Sequence, residues 1–255
     1  MTSFVETAAG DRVAYDSYGE GSAVVFVAGA GPSRETDPIT TQTAKQLAGE
    51  GFTAIVYDRL GRGESLVDGP IHLDRELEAL GALLQLTGPA VLVGHSSGCA
   101  IALKAAVDGM PVAGLVLWEA PIGAIVGGAQ PWSDELGRRI DAGALESAQE
   151  HYMKDMPPEW LEAAKNSPAW PVIVQRVVSL RADAEALGWA ESAGLGGIHV
   201  PVAVLVGEDT VPGMTESAQK LAAAIPGATR ATRPGKNHAW EPLPMAQFIA
   251  GFAKG

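Results

Sequence analysis

The chain has 255 residues, 18 Lys and Arg against 30 Asp and Glu, and a formal net charge of −12. That length suits one α/β domain with an insertion, and the acidic balance argues against a nucleic acid or an anionic membrane surface as partner, since both need clustered cations. The single cysteine, Cys99, excludes an intrachain disulfide and reads as a small buried apolar residue.

The N-terminus lacks a basic segment followed by an apolar one, so no secretory signal is visible and the cytoplasm is the expected location. Residues 3–8 and 11–18 read as a hairpin turning at Gly10-Asp11. Residues 23–28 form a continuous apolar run, as in a strand covered on both faces. The loop Gly29-Ala30-Gly31-Pro32 follows, then a helix over 39–48 and a buried strand over 52–57. Between 72 and 86, leucines at 73, 77, 80 and 84 recur at helical spacing with Asp74, Arg75, Glu76 and Glu78 between them, so one face should pack on the sheet.

Residues 90–100 carry the densest signal: a buried strand, the turn Gly94-His95-Ser96-Ser97-Gly98, and an alanine-rich helix to about 107. A hydroxyl between two glycines at a strand-to-helix elbow is the arrangement that exposes a nucleophile and leaves the next backbone N–H free to serve it. Another strand covers 112–118. The least polar long segment, residues 112–131, is broken by Glu119, Pro121 and several glycines, so it reads as strand plus loop rather than a spanning helix. From 121 to 197 the strand signal gives way to helical patterns and proline breaks. This stretch reads as a helical cap inserted in a core made of residues 1–120 and 198–255. The strand rhythm resumes at 202–206, a helix covers 215–224, a short final strand 228–232, a loop 234–238 and a closing helix 245–252. Alternating strands and helices predict a mostly parallel sheet with helices on both faces and ligand chemistry at the strands' carboxyl ends.

A serine hydroxyl needs a base. Of five histidines, His72 begins a helix, His151 lies in the cap, His199 precedes a strand, and His95 sits in the elbow's strand with its side chain expected to point elsewhere. His238, after the last strand, is the candidate that returns to the carboxyl edge. Two acids compete to orient it: Glu119, directly after Leu115-Val116-Leu117-Trp118, and Asp209, after residues 202–207. Glu119 is favoured, because an acid in so apolar a setting must be paired if buried. The N–H groups of Ala30 and Ser97 are the expected oxyanion donors. Trp132, Trp160 and Trp170 would shape an apolar pocket. Gly29-Ala30-Gly31 fails as a dinucleotide fingerprint because Arg34 occupies the third glycine's place, and no metal or nucleotide motif appears, so no cofactor or metal is expected.

Taken together these residues resemble the α/β-hydrolase fold family over nearly the whole chain. The elbow Gly94–Gly98, the loop Tyr57-Asp58-Arg59-Leu60-Gly61-Arg62-Gly63-Glu64-Ser65 and the late His238 carry the likeness, while Ala28-Gly29 replaces the family's frequent His-Gly pair. In many members the acid follows the strand matching 202–206, which would select Asp209. Leu117-Trp118-Glu119-Ala120-Pro121 is instead similar to a subgroup, including the zearalenone-type lactone hydrolases, whose acid lies on the earlier strand. The resemblance implies an ester or lactone hydrolase acting through Ser96 on a small molecule. The runner-up is a small-molecule sensor with slow hydrolysis, or lyase or perhydrolase chemistry on the same residues. Oligomeric state is not legible.

Overall fold

A computed structural model of the chain describes residues 2–255. β1 (Ser3–Glu6) and β2 (Arg12–Tyr18) pair as the expected antiparallel hairpin, and β2 continues antiparallel onto β4 (Phe52–Tyr57). β3 (Ser22–Val27) lies between β4 and β5 (Ala90–His95), parallel to both. β6 (Val112–Trp118), β7 (Val202–Asp209) and β8 (Thr229–Lys236) extend the parallel sheet in that order, and β9 (Ala239–Trp240) closes it antiparallel.

From β3 the chain moves outward to β4 and then crosses to β5 on the other side of β3. This reversal opens a crevice at the carboxyl ends of β3 and β5, where the loop carrying Ala30 and the elbow carrying Ser96 lie side by side.

The central strands β3 to β7 are buried on both faces, and their alternating residues divide between two cores. Val24 and Phe26 point into a layer with Ala44 and Leu47 of α1 (Pro38–Gly49) and Met245, Ala246 and Ile249 of α10 (Pro242–Lys254). Val25 and Val27 face the opposite layer, with α2 (Leu73–Thr87), α3 (Gly98–Val107) and α9 (Met214–Ala224). Local signals set the helix ends. Asp37 caps α1, its Oδ1 accepting from Thr40 N–H at 3.0 Å with Pro38 in the first turn, a cap worth about 1 kcal/mol. α2 stops at Gly88, whose positive φ of 74° lets its N–H reach the Leu84 carbonyl. The leucines at 73, 77, 80 and 84 are buried as the spacing predicts, but so is Glu76, which the charge pattern places among the solvated positions.

The final strand also departs from expectation. It runs through Pro234 to Lys236, and residues 237 and 238 form a tight turn into β9 rather than the end of a loop. Pro234 falls where the register with β7 shifts, between Arg233 opposite Gly207 and Lys236 opposite Asp209, so it sits at an irregularity of the ladder where proline is tolerated.

Between β6 and β7 the chain forms α4 (Ala129–Asp141), α5 (Leu145–Met153), α6 (Pro158–Lys165), α7 (Trp170–Arg176) and α8 (Leu180–Ser192). α8 anchors this insertion, packing against α4 on one side and against α2 and α3 of the core on the other. Among the described residues no helix is long and apolar enough to cross a membrane.

Candidate active site

The elbow between β5 and α3 is built by exclusion of side chains. A Cβ on Gly94 would lie 2.7 Å from Cys99 Cα, and one on Gly98 only 2.2 Å from the Val27 carbonyl oxygen. Glycine at both positions lets β5, β3 and α3 approach closely, and the turn puts Ser96 at φ 54°. Its N–H donates to the Trp118 carbonyl at 2.9 Å and its carbonyl accepts from Cys99 N–H at 3.0 Å, so the strained conformation is held from both sides. Cys99 is fully buried, and burial pushes its thiol well up, consistent with a packing role.

Among the described residues only four non-glycine residues have positive φ: Ser96, Glu119, Asn237 and His238. Three of these are residues that the pattern singles out for chemistry. Left-handed backbone at non-glycine residues costs free energy and persists where surrounding bonds over-determine it.

Glu119 follows β6 and is 1% exposed. Its N–H donates to the Leu205 carbonyl, its Oε1 accepts from Gly207 N–H at 2.9 Å, and its Oε2 lies 2.6 Å from His238 Nδ1. Burial works against the charge, but the bonds from His238 and Gly207 outweigh it, and the carboxyl sits below the usual range. Asp209, the competing acid, lies at the exposed end of β7, where its carbonyl accepts from Asn237 N–H. The structure therefore brings Glu119, and not Asp209, to the imidazole.

His95 packs against the turn that carries His238. Its ring packs 4.8 Å from that of His238, centroid to centroid, and its Nε2 donates to the His238 carbonyl at 2.9 Å. Trp118 Nε1 donates to the same oxygen at 3.1 Å, so two donors fix the turn that carries His238. The direction follows the alternation of β5: Val91 and Val93 face the layer that holds Trp118 and Trp240, and His95, opposite Trp118 in the same register, puts its ring 5.3 Å from that of Trp240. His72 and His151 stay at structural posts, His72 Nδ1 beside Glu185 and His151 Nε2 donating to the Trp132 carbonyl.

Burial and the adjacent His238 push the His95 imidazole down to about 4. Because the folded value lies below the ordinary 6.5, protons bind the unfolded chain first. This contribution to stability is fully present above about pH 6.5 and is lost as the pH falls towards 4. Its size is on the order of 3 kcal/mol. Urea midpoints should fall from pH 7 to 4.5, and His95→Gln should flatten that fall; a variant profile parallel to the parent's would contradict the assignment.

Ser96, Ser97, Ala30 and His238 all line one cavity of about 600 Å³, whose far wall comes from the insertion. Trp132 and Trp160 line it too, the Trp160 ring 6.3 Å from that of His238. Trp170 does not line it. Its Nε1 donates to Glu146 Oε1, so this indole ties α7 to α5, and Ile173 and Arg176, one and two turns further on, present α7 to the cavity instead.

Behind the loop carrying Ala30 lies a buried ionic cluster. Asp183 of α8, fully buried, accepts from Arg59 Nη1, Arg62 Nη2 and Ser97 Oγ, each at 2.6 Å. Arg59 Nε donates to Glu76 at 3.1 Å, which explains the burial of that acid. Burial opposes the Asp183 charge, but Arg59 and Arg62 hold its carboxyl below the usual range. A signal was present: Asp183 stands between Ala182 and Ala184 in a helix with few other polar positions facing the core, the same reasoning that marked Glu119.

The sequence profile of the Alpha/beta hydrolase family matches residues 24–252. The chain belongs to this family. Among solved structures it is similar to an alpha/beta hydrolase from Sphaerobacter thermophilus, at 28% identity and a TM-score of 0.81 over 98% of this chain and 99% of that one. It also resembles an esterase from Exiguobacterium antarcticum, at 18% identity and a TM-score of 0.71 over all of both chains. A thermophilic esterase from Thermogutta terrifontis is similar at 24% identity and a TM-score of 0.65, over 100% of this chain and 96% of that one. At those last two identities the likeness speaks for the α/β-hydrolase fold alone. No significant match is found among curated proteins.

Proposed function

We propose that this α/β hydrolase cleaves a carboxylic ester or lactone of a small, largely apolar molecule through an acyl-enzyme on Ser96. The observation that carries the reading is the 2.6 Å contact between Glu119 Oε2 and His238 Nδ1 at the wall of the cavity that Ser96 also lines. An imidazole whose Nδ1–H is held by a carboxylate presents an unprotonated Nε2, the state needed to take a proton from a serine hydroxyl.

In this mechanism Ser96 Oγ attacks the carbonyl carbon as His238 Nε2 accepts its proton. The N–H groups of Ala30 and Ser97 bind the tetrahedral oxyanion. His238 then protonates the leaving alcohol oxygen, leaving Ser96 acylated. Water, deprotonated by the same imidazole, attacks the acyl carbon and returns acid and free serine. Glu119 orients the ring and stabilises the imidazolium. No metal or cofactor enters any step. The helical insertion acts as a cap, and Trp132 and Trp160 contribute apolar surface to a cavity whose volume suits a small organic ester. Membership of the hydrolase family supports hydrolysis as the reaction class.

The test is steady-state turnover on a panel of p-nitrophenyl esters of increasing acyl length and on aliphatic and aromatic lactones. Sustained turnover of many equivalents, faster for apolar acyl groups than for acetate, is expected. A single burst of one equivalent followed by retained ligand would contradict an enzyme and support the sensor.

A further inference from the structure

The Gly29 carbonyl and the Ala30 N–H belong to one planar trans peptide, so they point in opposite directions and move together. Arg62 Nη1 donates to the Gly29 oxygen at 2.5 Å, and Arg59 Nη1 donates to the preceding carbonyl, that of Ala28, at 3.1 Å. Both guanidinium groups are fully buried and both are gripped by Asp183, whose third donor is the Ser97 hydroxyl. One carboxylate from the insertion thus reaches, directly at Ser97 and through Arg62 at the Gly29–Ala30 peptide, both residues assigned above as oxyanion donors.

We propose that Arg62, held by Asp183, is a positioning residue for the oxyanion hole: by fixing the Gly29 oxygen it aims the Ala30 N–H into the cavity. This inference rests on the acyl-enzyme reading of Ser96. A buried ion cluster of this kind is weak evidence for stability, because well-packed apolar residues would serve the core as well. Its geometry accounts for its presence better. The guanidinium on the carbonyl side also polarises the peptide, strengthening the N–H as donor. Because Asp183 lies on α8, the cap and the oxyanion loop are coupled, and the loop is set before substrate arrives.

The experiment compares Arg62→Met and Arg62→Lys with the parent. Rates are divided by the number of sites titrated with a serine-reactive phosphonate, so that a misfolded fraction drops out. For Arg62→Met, kcat per titrated site should fall about a hundredfold with KM changed less than about threefold, as expected for a lost oxyanion donor. Arg62→Lys keeps a cation but not the planar fork, and should lose about tenfold; it reads the same quantity if the methionine variant does not fold. A second readout is the preference for an oxygen ester over the matching thionoester. Sulfur accepts hydrogen bonds poorly, so a correctly aimed donor favours the oxygen ester, and that preference should shrink about tenfold in Arg62→Met. Unchanged kcat per titrated site and unchanged preference in whichever variant folds would overturn the proposal, leaving the cluster as packing only. Failure of the parent to react with the phosphonate at Ser96 would instead overturn the acyl-enzyme reading itself.

Discussion

Ser96→Ala is expected to lower kcat about 10⁴-fold or more while leaving the melting temperature within a few degrees of the parent's. Alanine inherits the positive φ of 54° that serine already tolerates, and the backbone bonds to Trp118 and Cys99 need no side chain, so the elbow should persist. Ser96→Gly sharpens the comparison. Glycine adopts left-handed backbone without penalty, so this variant should be as inactive but about 1 kcal/mol more stable in urea unfolding. Stability gained as activity is lost would identify Ser96 as a residue held in strain for chemistry. Activity near that of the parent in either variant would end the covalent mechanism.

The second large effect is expected at Glu119. In Glu119→Gln the side-chain oxygen stays on Gly207 N–H, which offers only a donor, and the amide NH₂ turns towards His238. The imidazole must then accept at Nδ1 and carry its proton on Nε2, the wrong tautomer for a base. A loss of about 10³- to 10⁴-fold in kcat should follow with the fold intact. Asp209→Asn should stay within about twofold of the parent, since the position is exposed and contributes its backbone carbonyl to the turn. Equal losses in the two variants, or the larger loss at Asp209, would reverse the assignment of the acid.

Much of this arrangement is legible in the sequence, and the reasons are local. The elbow announces itself because two glycines must flank Ser96 where α3 meets the carbonyls of β3. The parallel strands announce themselves through unbroken apolar runs, since both of their faces are covered. Glu119 stands out as an acid at the end of such a run. What escapes a reading of the sequence depends on partners distant along the chain. His95 lies against His238, 143 positions later, and nothing in Gly94-His95-Ser96 shows that its ring turns towards that residue. Glu76 sits in an ordinary charged helix until Arg59 draws it inward. Asp183 and Arg62 are 121 positions apart, and only folding of the insertion over the core makes them a pair. Trp170 illustrates the opposite failure: aromatic character marks a residue for burial, but helix phase decides between the cavity and Glu146.

Covalent attachment of substrate to Ser96 is the step on which the proposed mechanism depends. Mass mapping after reaction with a fluorophosphonate tests this most directly. One equivalent of adduct per chain is expected on the peptide containing Ser96, with none in Ser96→Ala and labelling slowed by orders of magnitude in His238→Asn. Sustained ester turnover by a chain that carries no adduct, or carries it on another residue, would contradict it.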